Sequence, residues 1–177
     1  MGTPRVPKPA KLMMSLISGE DKILMRAMED LKAIYGEVDL LSDLLPFDFT
    51  RYYDREMGAP LFRRFISFEE LVQREALADI KKRTNGVEER YCRDGCRKVN
   101  IDPGVLSEEN LILATTKGFA HRVYLRDGIY ADLTLVFRRG SFRPQEWTYP
   151  DYRQSDVIEL MNGLRRNYLR QLKGEGV

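Results

Sequence analysis

The chain is poor in the residues that most often mark metal or catalytic sites. Its 177 residues include one histidine, one tryptophan and two cysteines. Cys92 and Cys96 are four residues apart, and this pair alone lacks the further ligands that zinc and iron–sulfur sites need. We therefore predict no metal site and no cofactor. Because nothing signals export, we expect reduced thiols and a cytoplasmic protein.

Long apolar runs and an excess of one charge are also missing. No apolar run approaches the roughly 20 residues of a membrane-spanning helix, and the amino-terminal residues lack the apolar core of a signal peptide. The 29 basic and 27 acidic residues give a formal net charge of +2. This balance offers no global electrostatic case for binding DNA or a membrane surface. We expect neither partner, and the oligomeric state stays open.

Hydrophobic periodicity indicates an α+β protein. Residues 1–10 carry prolines and basic side chains, which predicts a flexible basic tail, and residues 11–173 form a single domain. The first part of this domain has the order β-α-β-β-α-β, which favours a ferredoxin-like opening. The strands are predicted at 11–18, 38–45, 61–68 and 98–101, and the helices at 20–35 and 70–91.

The second half predicts an antiparallel meander followed by a C-terminal helix. Turns at Asp127-Gly128 and Arg139-Gly140 separate the later strands. Apolar residues at helical spacing begin after Ser155 and predict the final helix. The meander strands are predicted at 111–116, 121–125, 129–137 and 142–147.

The turn near Gly128 decides which side chains share a sheet face. A two-residue turn at Asp127-Gly128 would mix apolar and polar side chains on both faces. We therefore predict a three-residue loop that starts at Arg126, with Gly128 in the left-handed conformation. This loop pairs Val123 with Ala131 and places His121 on the same apolar face.

The opposite face is polar and is expected to point outward. It carries Arg122 opposite Asp132 and Tyr124 opposite Tyr130, with Thr134 next along the strand. An exposed pair between Arg122 and Asp132 would contribute little, ~0–1 kcal/mol. The alternative is an anion site, because a guanidinium held by a carboxylate presents fixed donors to phosphate or carboxylate groups.

Five further residues are candidates for chemistry. His121 is a candidate proton carrier because it is the only histidine, although a half-buried structural role suits its position. Asp102 is a second candidate proton carrier, although its position before Pro103-Gly104 predicts a turn-forming carboxylate. Lys117 offers an ammonium to a phosphate, while Tyr149 and Asp151 belong to an aromatic segment that could rim a pocket. No Gly-x-x-x-x-Gly-Lys-Ser/Thr loop is present, which leaves a P-loop site unsupported.

These candidates support two functional hypotheses, and neither decides whether the protein is an enzyme. In the first, a small anionic ligand, such as a nucleotide or phosphorylated metabolite, binds to the polar sheet face. In the second, the exposed aromatics contact a protein or single-stranded RNA in an assembly module without catalysis. Convergence of Arg122, Lys117 and the tyrosines in a concave pocket would favour the first hypothesis.

Several motifs together carry a resemblance to a known family. They are Pro46–Thr50 with Tyr52-Tyr53, Glu56–Gly58, Thr84-Asn85, Asn100–Gly104, Ala114–Lys117, His121–Tyr124, Gly128–Ala131 and Trp147–Tyr152. Over residues 10–172 the chain resembles a bacterial and archaeal family known as domain of unknown function 4416. Members are often labelled GTP-binding proteins, but the resemblance brings no established activity or assigned catalytic residues.

Overall fold

The computed structural model describes residues 1–174, which form one antiparallel sheet of nine strands with helices on both faces. The strands are β1 (Ala10–Ser18), β2 (Val38–Leu41), β3 (Leu45–Pro46), β4 (Phe62–Val72), β5 (Asn100–Leu106), β6 (Asn110–Thr115), β7 (Arg122–Arg126), β8 (Ile129–Arg138) and β9 (Ser141–Pro144). The helices are α1 (Asp21–Tyr35), α2 (Asp54–Met57), α3 (Leu77–Arg90) and α4 (Ser155–Leu172). The predicted α+β class and the C-terminal helix are confirmed.

Strand β1 lies inside the sheet and explains its apolar sequence. The sheet order is β2-β4-β1-β5-β6-β8-β7, with β3 beside β4 and β9 beside β8. Every residue of β1 is buried, because β4 and β5 flank it and helices cover both faces. A strand covered on both faces has an almost continuous apolar run instead of an alternating pattern.

The two faces of the sheet have separate cores. Leu12, Met14 and Leu16 of β1 pack in one core with helices α1 and α3. Met13 belongs to the other core, which α4 covers through residues such as Met161. Successive side chains of a strand point to opposite faces, so β1 supplies both cores.

The second predicted helix begins too early in the sequence prediction. Strand β4 continues to Val72, and a short 3-10 turn at Arg74–Ala76 precedes α3. Helix α3 then runs through Asn85-Gly86 without a break. The apolar residues Leu71 and Val72 therefore belong to the strand, and α3 begins only at Leu77.

The prediction of a turn after Asp102 was wrong. Strand β5 includes Asp102, Pro103 and Gly104. It pairs with β1 over its whole length, from Asn100 opposite Ile17 to Leu106 opposite Lys11. The pairing of β5 with β6 starts only at Gly104, so the two strands diverge at the end that holds Asp102. Pro103 supplies no N–H to a neighbouring strand, which is consistent with a ladder that begins one residue later.

The meander prediction also needs correction. Strand β8 lies between β6 and β7, so the chain skips one position after β6 and places β7 at the edge. Strand β9 ends at Pro144, three residues before the predicted end. The pattern indicated the approximate positions of these strands, whereas their order depends on which strand pairs with β6.

The hairpin joining β7 and β8 has the pairs predicted for Arg122, Val123 and Tyr124, but not the predicted loop or the pair that this loop implies between Leu125 and Ile129. Arg122 pairs with Asp132, Val123 with Ala131, and Tyr124 with Tyr130, as expected. The turn itself contains only Asp127 and Gly128, which have φ values of 53° and 77°. Two positive φ values are typical of a type I′ turn. A bulge at Leu125 absorbs the one-residue difference, because Arg126 pairs with Ile129.

The amino-terminal segment precedes the sheet and contacts helix α4. The amino-terminal residues up to Pro9 have no regular secondary structure, while Ala10, assigned to the tail by sequence, already belongs to β1. The Pro9 carbonyl accepts a hydrogen bond from the Tyr168 hydroxyl at 2.7 Å. Within residues 1–174, no helix combines the length and apolar character that crossing a membrane requires.

Gly104 generates a stability prediction because β5 and β6 approach closely at this point. A Cβ at position 104 would lie 2.6 Å from Leu113 Cδ2 and 2.9 Å from the Ile112 carbonyl oxygen. We expect Gly104→Ala to lower the free energy of unfolding by about 1–3 kcal/mol, measured by chemical denaturation. Gly86→Ala is the matched control, because no atom lies within 4 Å of the new methyl group. This helical substitution should stabilise the protein by about 0.5–1 kcal/mol. Equal effects of the two variants would contradict the close approach.

Candidate functional site: a cavity where the sheet divides

A cavity of about 740 Å³ opens at the end of the sheet where β5 and β6 diverge. Its walls come from the ends of β1, β4, β5 and β6, from helix α3, and from the segments that precede α2 and α4. This volume lies in the range of small-molecule sites. The fork in the sheet therefore creates a concave site with polar strand ends around it.

The floor of the cavity is held by two charged residues of α3. The Ile101 N–H donates to Glu88 at 2.7 Å, and the Ile101 carbonyl accepts from Lys81 Nζ at 2.7 Å. Buried backbone groups need partners, and β6 does not reach Ile101. Lys81 and Glu88 thus take the place of the missing strand. They occupy the same buried helical stripe as Leu77 and Thr84.

Arg97 links this floor to the segment that contains α2. Its guanidinium donates to both carboxylate oxygens of Glu56, at 2.7 and 2.8 Å. It also donates to Glu88 at 2.7 Å and to Asn100 Oδ1 at 3.2 Å. Hydrogen bonds from Arg97 hold the pKa of Glu56 below its usual range. Burial raises the pKa of Glu88, although Lys81 and Arg97 oppose this effect.

Arg63 forms a second wall of the cavity. It is buried, pairs with Asp151, and lies over the rings of Phe47, Phe65 and Tyr152. Its Nε is buried and has no hydrogen-bond partner among the described residues. Asp151, a predicted ligand-binding residue, therefore lines the cavity as the partner of a buried cation.

Arg122 lies at the mouth of the cavity and is fixed by three acceptors. It donates to Asp132 Oδ2 at 2.8 Å, to the Lys117 carbonyl at 2.9 Å and to the Tyr149 hydroxyl at 2.7 Å. Burial alone would lower the pKa of Arg122, but the bonds to Asp132 and Tyr149 raise it, so the guanidinium stays charged.

The orientation expected for this ion pair was wrong. Arg122 and Asp132 share a face, as predicted, but their side chains are only 8% and 7% exposed. Val123, which was assigned to the apolar face, is 68% exposed. The segment Trp147–Tyr152, which we call the strap, covers the polar face through Tyr149. Strand β7 lies at the sheet edge, and Val123 on its other face is left uncovered.

His121 also lies on an unexpected side. It precedes β7, so strand parity does not apply to it. Its Nε2 is 3.4 Å from Asp132 Oδ2, and its ring stacks on Trp147 with centroids 5.3 Å apart and an interplanar angle of 12°. His121 therefore accompanies Asp132 and is not on the face of Val123.

The cavity brings together six of the ten predicted site residues. These are Asp102, Lys117, Arg122, Asp132, Tyr149 and Asp151. Asp102 accepts from Asn100 Nδ2 at 2.7 Å and lies 3.4 Å from Lys81 Nζ. His121 borders a shallower neighbouring pocket.

Three predicted residues lie outside both pockets. Tyr124 and Tyr130 make an edge contact with centroids 5.3 Å apart. Thr134 is buried and donates to the Asp132 carbonyl at 3.1 Å. The faces on which these residues lie were inferred from local alternation, which does not specify where the cavity begins.

Sequence reasoning missed Lys81, Glu88, Arg97, Arg63 and Glu56. One signal was available for two of them. In α3, Lys81 and Glu88 occur at the helical spacing of the buried residues Leu77 and Thr84, and this spacing indicates that both charged side chains face the core. The ion pairs of Arg63 and Arg97 join distant segments and left no comparable pattern.

Fold and site together define an α+β protein with a charged cavity at a fork in one antiparallel sheet. The chain belongs to the family described as domain of unknown function (DUF4416), whose model matches residues 8–168. The family resemblance found in the motifs is thus confirmed. No curated protein and no solved structure matches the chain. Among residues 1–174, no group of three or more His, Cys, Asp or Glu side chains is arranged to hold a metal ion.

The burial of Arg122 predicts a large effect of its removal. Arg122→Gln would leave the buried Asp132 carboxylate without its guanidinium, and we expect a loss of about 3–5 kcal/mol in the free energy of unfolding. Arg126→Gln on the same strand is the control, because Arg126 and Asp79 form an exposed pair. That substitution should cost about 0–1 kcal/mol. Denaturant titration measures both, and comparable losses would show that Arg122 is not held as described.

The pairing of Glu56 with Arg97 predicts a dependence on pH. Because the folded pKa of Glu56 is lowered, its ionised form stabilises the fold above the unfolded pKa of about 4.3, and this stability is lost as the pH falls through the folded pKa. We expect Glu56→Gln to cost about 1 kcal/mol at pH 7 and the difference to shrink in acid. Glu29→Gln is an exposed control with an expected effect near zero. A difference that is constant from pH 7 to pH 3 would refute this ionic contribution.

Proposed function

We propose that the protein binds a small organic phosphate, such as a nucleotide or a phosphorylated metabolite, at the mouth of the cavity. The observation that carries this proposal is the convergence of Lys117, Arg122 and Tyr149 in one concave site, whereas Tyr124 and Tyr130, which were expected beside the cations, lie outside it. A flat distribution of these side chains would have favoured the assembly hypothesis. Arg122 would supply the N–H groups left after its three internal hydrogen bonds, and Asp132 would orient it.

The charge distribution supports placing the anion at the mouth. Deeper in the cavity, Arg63, Lys81 and Arg97 each have a carboxylate within 4.0 Å. Across residues 1–174, Lys117 Nζ has no such partner and instead lies 3.8 Å from the centroid of the Tyr52 ring. An incoming phosphate would therefore meet an unneutralised ammonium beside a fixed guanidinium.

Two aromatic rings flank these cations and suit a ligand with a flat portion. Tyr52 and Tyr149 are both exposed on the cavity wall. Exposed aromatic faces can stack on planar rings and attract cations, so they add shape selection to the charge. This combination is the reason for keeping nucleotides among the proposed ligands.

We propose candidate proton carriers for a reaction at this site but no particular reaction. Asp102 is the candidate proton carrier inside the cavity, where Lys81 and Asn100 orient its carboxylate. His121 is a second candidate because it lies beside Asp132 at the mouth. A reaction would require the ligand to place a titratable atom within hydrogen-bond distance of one of these groups.

The finer structural and cellular assignments are part of the same proposal. The strand order β5-β1-β4-β2, with α1 and α3 on one face, supports a ferredoxin-like opening to which five further strands are added. The two free cysteines, Cys92 and Cys96, support a cytoplasmic location.

A second candidate function is an assembly module. Its support is the edge strand β7, on which Val123, Tyr124 and Leu125 are exposed. An exposed edge with apolar side chains is a surface on which another chain can pair.

The proposal is tested with AMP, GMP and ribose 5-phosphate as ligands. We expect at least one of them to raise the melting temperature at millimolar concentration, as linkage requires. Lys117→Gln should raise the Kd of that ligand roughly three- to tenfold, because one charge-assisted contact is lost. Lys22→Gln removes the same charge from an exposed position on α1 and should leave Kd unchanged. Isothermal titration calorimetry measures these values.

Two results would count against the phosphate site. No response to any of the three ligands would remove it, and concentration-dependent association in light scattering would then favour the assembly candidate. Equal losses of affinity in Lys117→Gln and Lys22→Gln would show that the ligand responds to net charge and not to the mouth of the cavity.

A further inference from the structure

A second, shallower pocket of about 410 Å³ lies beside the mouth of the cavity. Lys117, Arg122 and Tyr149 line both concavities. A ligand held by these cations therefore has room on two sides, one toward the floor of the cavity and one toward the shallow pocket. This geometry distinguishes the site from a pocket that ends at its phosphate group.

Three aromatic rings in contact with one another line the shallow pocket. His121 contacts Phe119 and Trp147, with 5.3 Å between ring centroids in each case. Trp147 Nε1 donates to the Leu133 carbonyl at 2.9 Å, which fixes the indole. Phe119 is nevertheless 70% exposed and Trp147 39% exposed. Exposed aromatic surface beside a fixed indole is suited to stacking with a flat heterocycle.

The other side of the cations has a different chemistry. The deep part of the cavity is lined by Asn85, Asn100 and Asp102. The cations at this depth, unlike Lys117 at the mouth, are already paired with carboxylates. Within residues 1–174, the Asn85 amide makes no hydrogen bond, and Asp102 keeps acceptor capacity beyond its contacts with Asn100 and Lys81. Amides and a carboxylate without spare positive charge suit hydroxyl groups better than a second anion.

We propose that the ligand is a nucleotide whose phosphate joins the base-bearing half to a second, hydroxyl-rich half. The base would stack in the shallow pocket against Phe119 and Trp147, the phosphate would lie at Lys117 and Arg122, and the second half would enter the cavity toward Asn85. Nucleoside diphosphate sugars and dinucleotides share this chemistry. The inference rests on the proposed phosphate site.

The test compares ligands that carry one or both halves. Calorimetry would measure Kd for ribose 5-phosphate and, in adenine, guanine and uracil series, for the 5′-monophosphate, a diphosphate sugar and a 3′,5′-dinucleotide. For at least one base we expect a diphosphate sugar or a dinucleotide to bind at least tenfold more tightly than the monophosphate and ribose 5-phosphate. The diphosphate sugar and the dinucleotide distinguish the two sources of the second half.

Two substitutions separate the halves of the site. Phe119→Ala should weaken the monophosphate and the two-part ligand about five- to tenfold and leave ribose 5-phosphate unchanged, as loss of one stacking contact predicts. Asn85→Ala should weaken only the two-part ligand, about three- to fivefold. Tyr124→Ala is the control, because Tyr124 is an exposed aromatic on neighbouring β7 outside both pockets.

The outcomes distinguish this inference from the proposed function. If monophosphates bind through Lys117 but two-part ligands gain nothing, the two-part assignment is wrong and the phosphate site stands. If Phe119→Ala weakens ribose 5-phosphate as much as the nucleotides, the stacking assignment is wrong. Tenfold tighter binding of a decanucleotide than of its dinucleotide would indicate a strand-binding surface instead. If no phosphorylated compound binds, both proposals fail together.

Discussion

The capture of the Ile101 backbone by Lys81 and Glu88 is the interaction on which the site depends. Where β5 separates from β6, the Ile101 N–H and carbonyl lose the neighbour that a continuous sheet would provide. Leaving both buried and unpaired would cost several kcal/mol, on the order of 1–3 for each group. Helix α3 supplies a carboxylate and an ammonium at the correct spacing, so the sheet can remain open.

The hydrogen bonds of Lys81 and Glu88 to the Ile101 backbone place two charged groups in the interior, and these groups position the residues around them. A buried carboxylate needs more than one hydrogen-bond donor. Glu88 therefore accepts from Arg97 in addition to the Ile101 N–H. Arg97 in turn binds Glu56 and thereby ties the aromatic segment around α2 to the floor of the cavity. A buried ionic network is stable only when its members have partners, which explains why the deep cavity is charged yet locally neutral. Lys117, which has no carboxylate partner among residues 1–174, lies outside this network.

Much of the fold followed from local pattern, and much of the site did not. Alternation in β7 and β8 correctly predicted that Arg122 faces Asp132 and Tyr124 faces Tyr130. The same reasoning misjudged the loop, because a bulge at Leu125 changes the turn length without changing those pairs. It also assigned Asp102 to a turn, since Asp-Pro-Gly has turn chemistry in isolation and a strand ladder with β1 overrides it.

The sequence by itself determined the family through its motifs, and it determined the α+β class, the positions of β1 and α1, and the residues that share a face in the β7–β8 hairpin. These properties depend on neighbours a few positions apart, through helical or strand periodicity. Tertiary structure alone decided that the face of Arg122 is covered while that of Val123 is exposed. Burial depends on which distant segment packs over a face, and neither the strap at Tyr149 nor the insertion of β8 beside β6 is specified by the alternation of side chains along a strand.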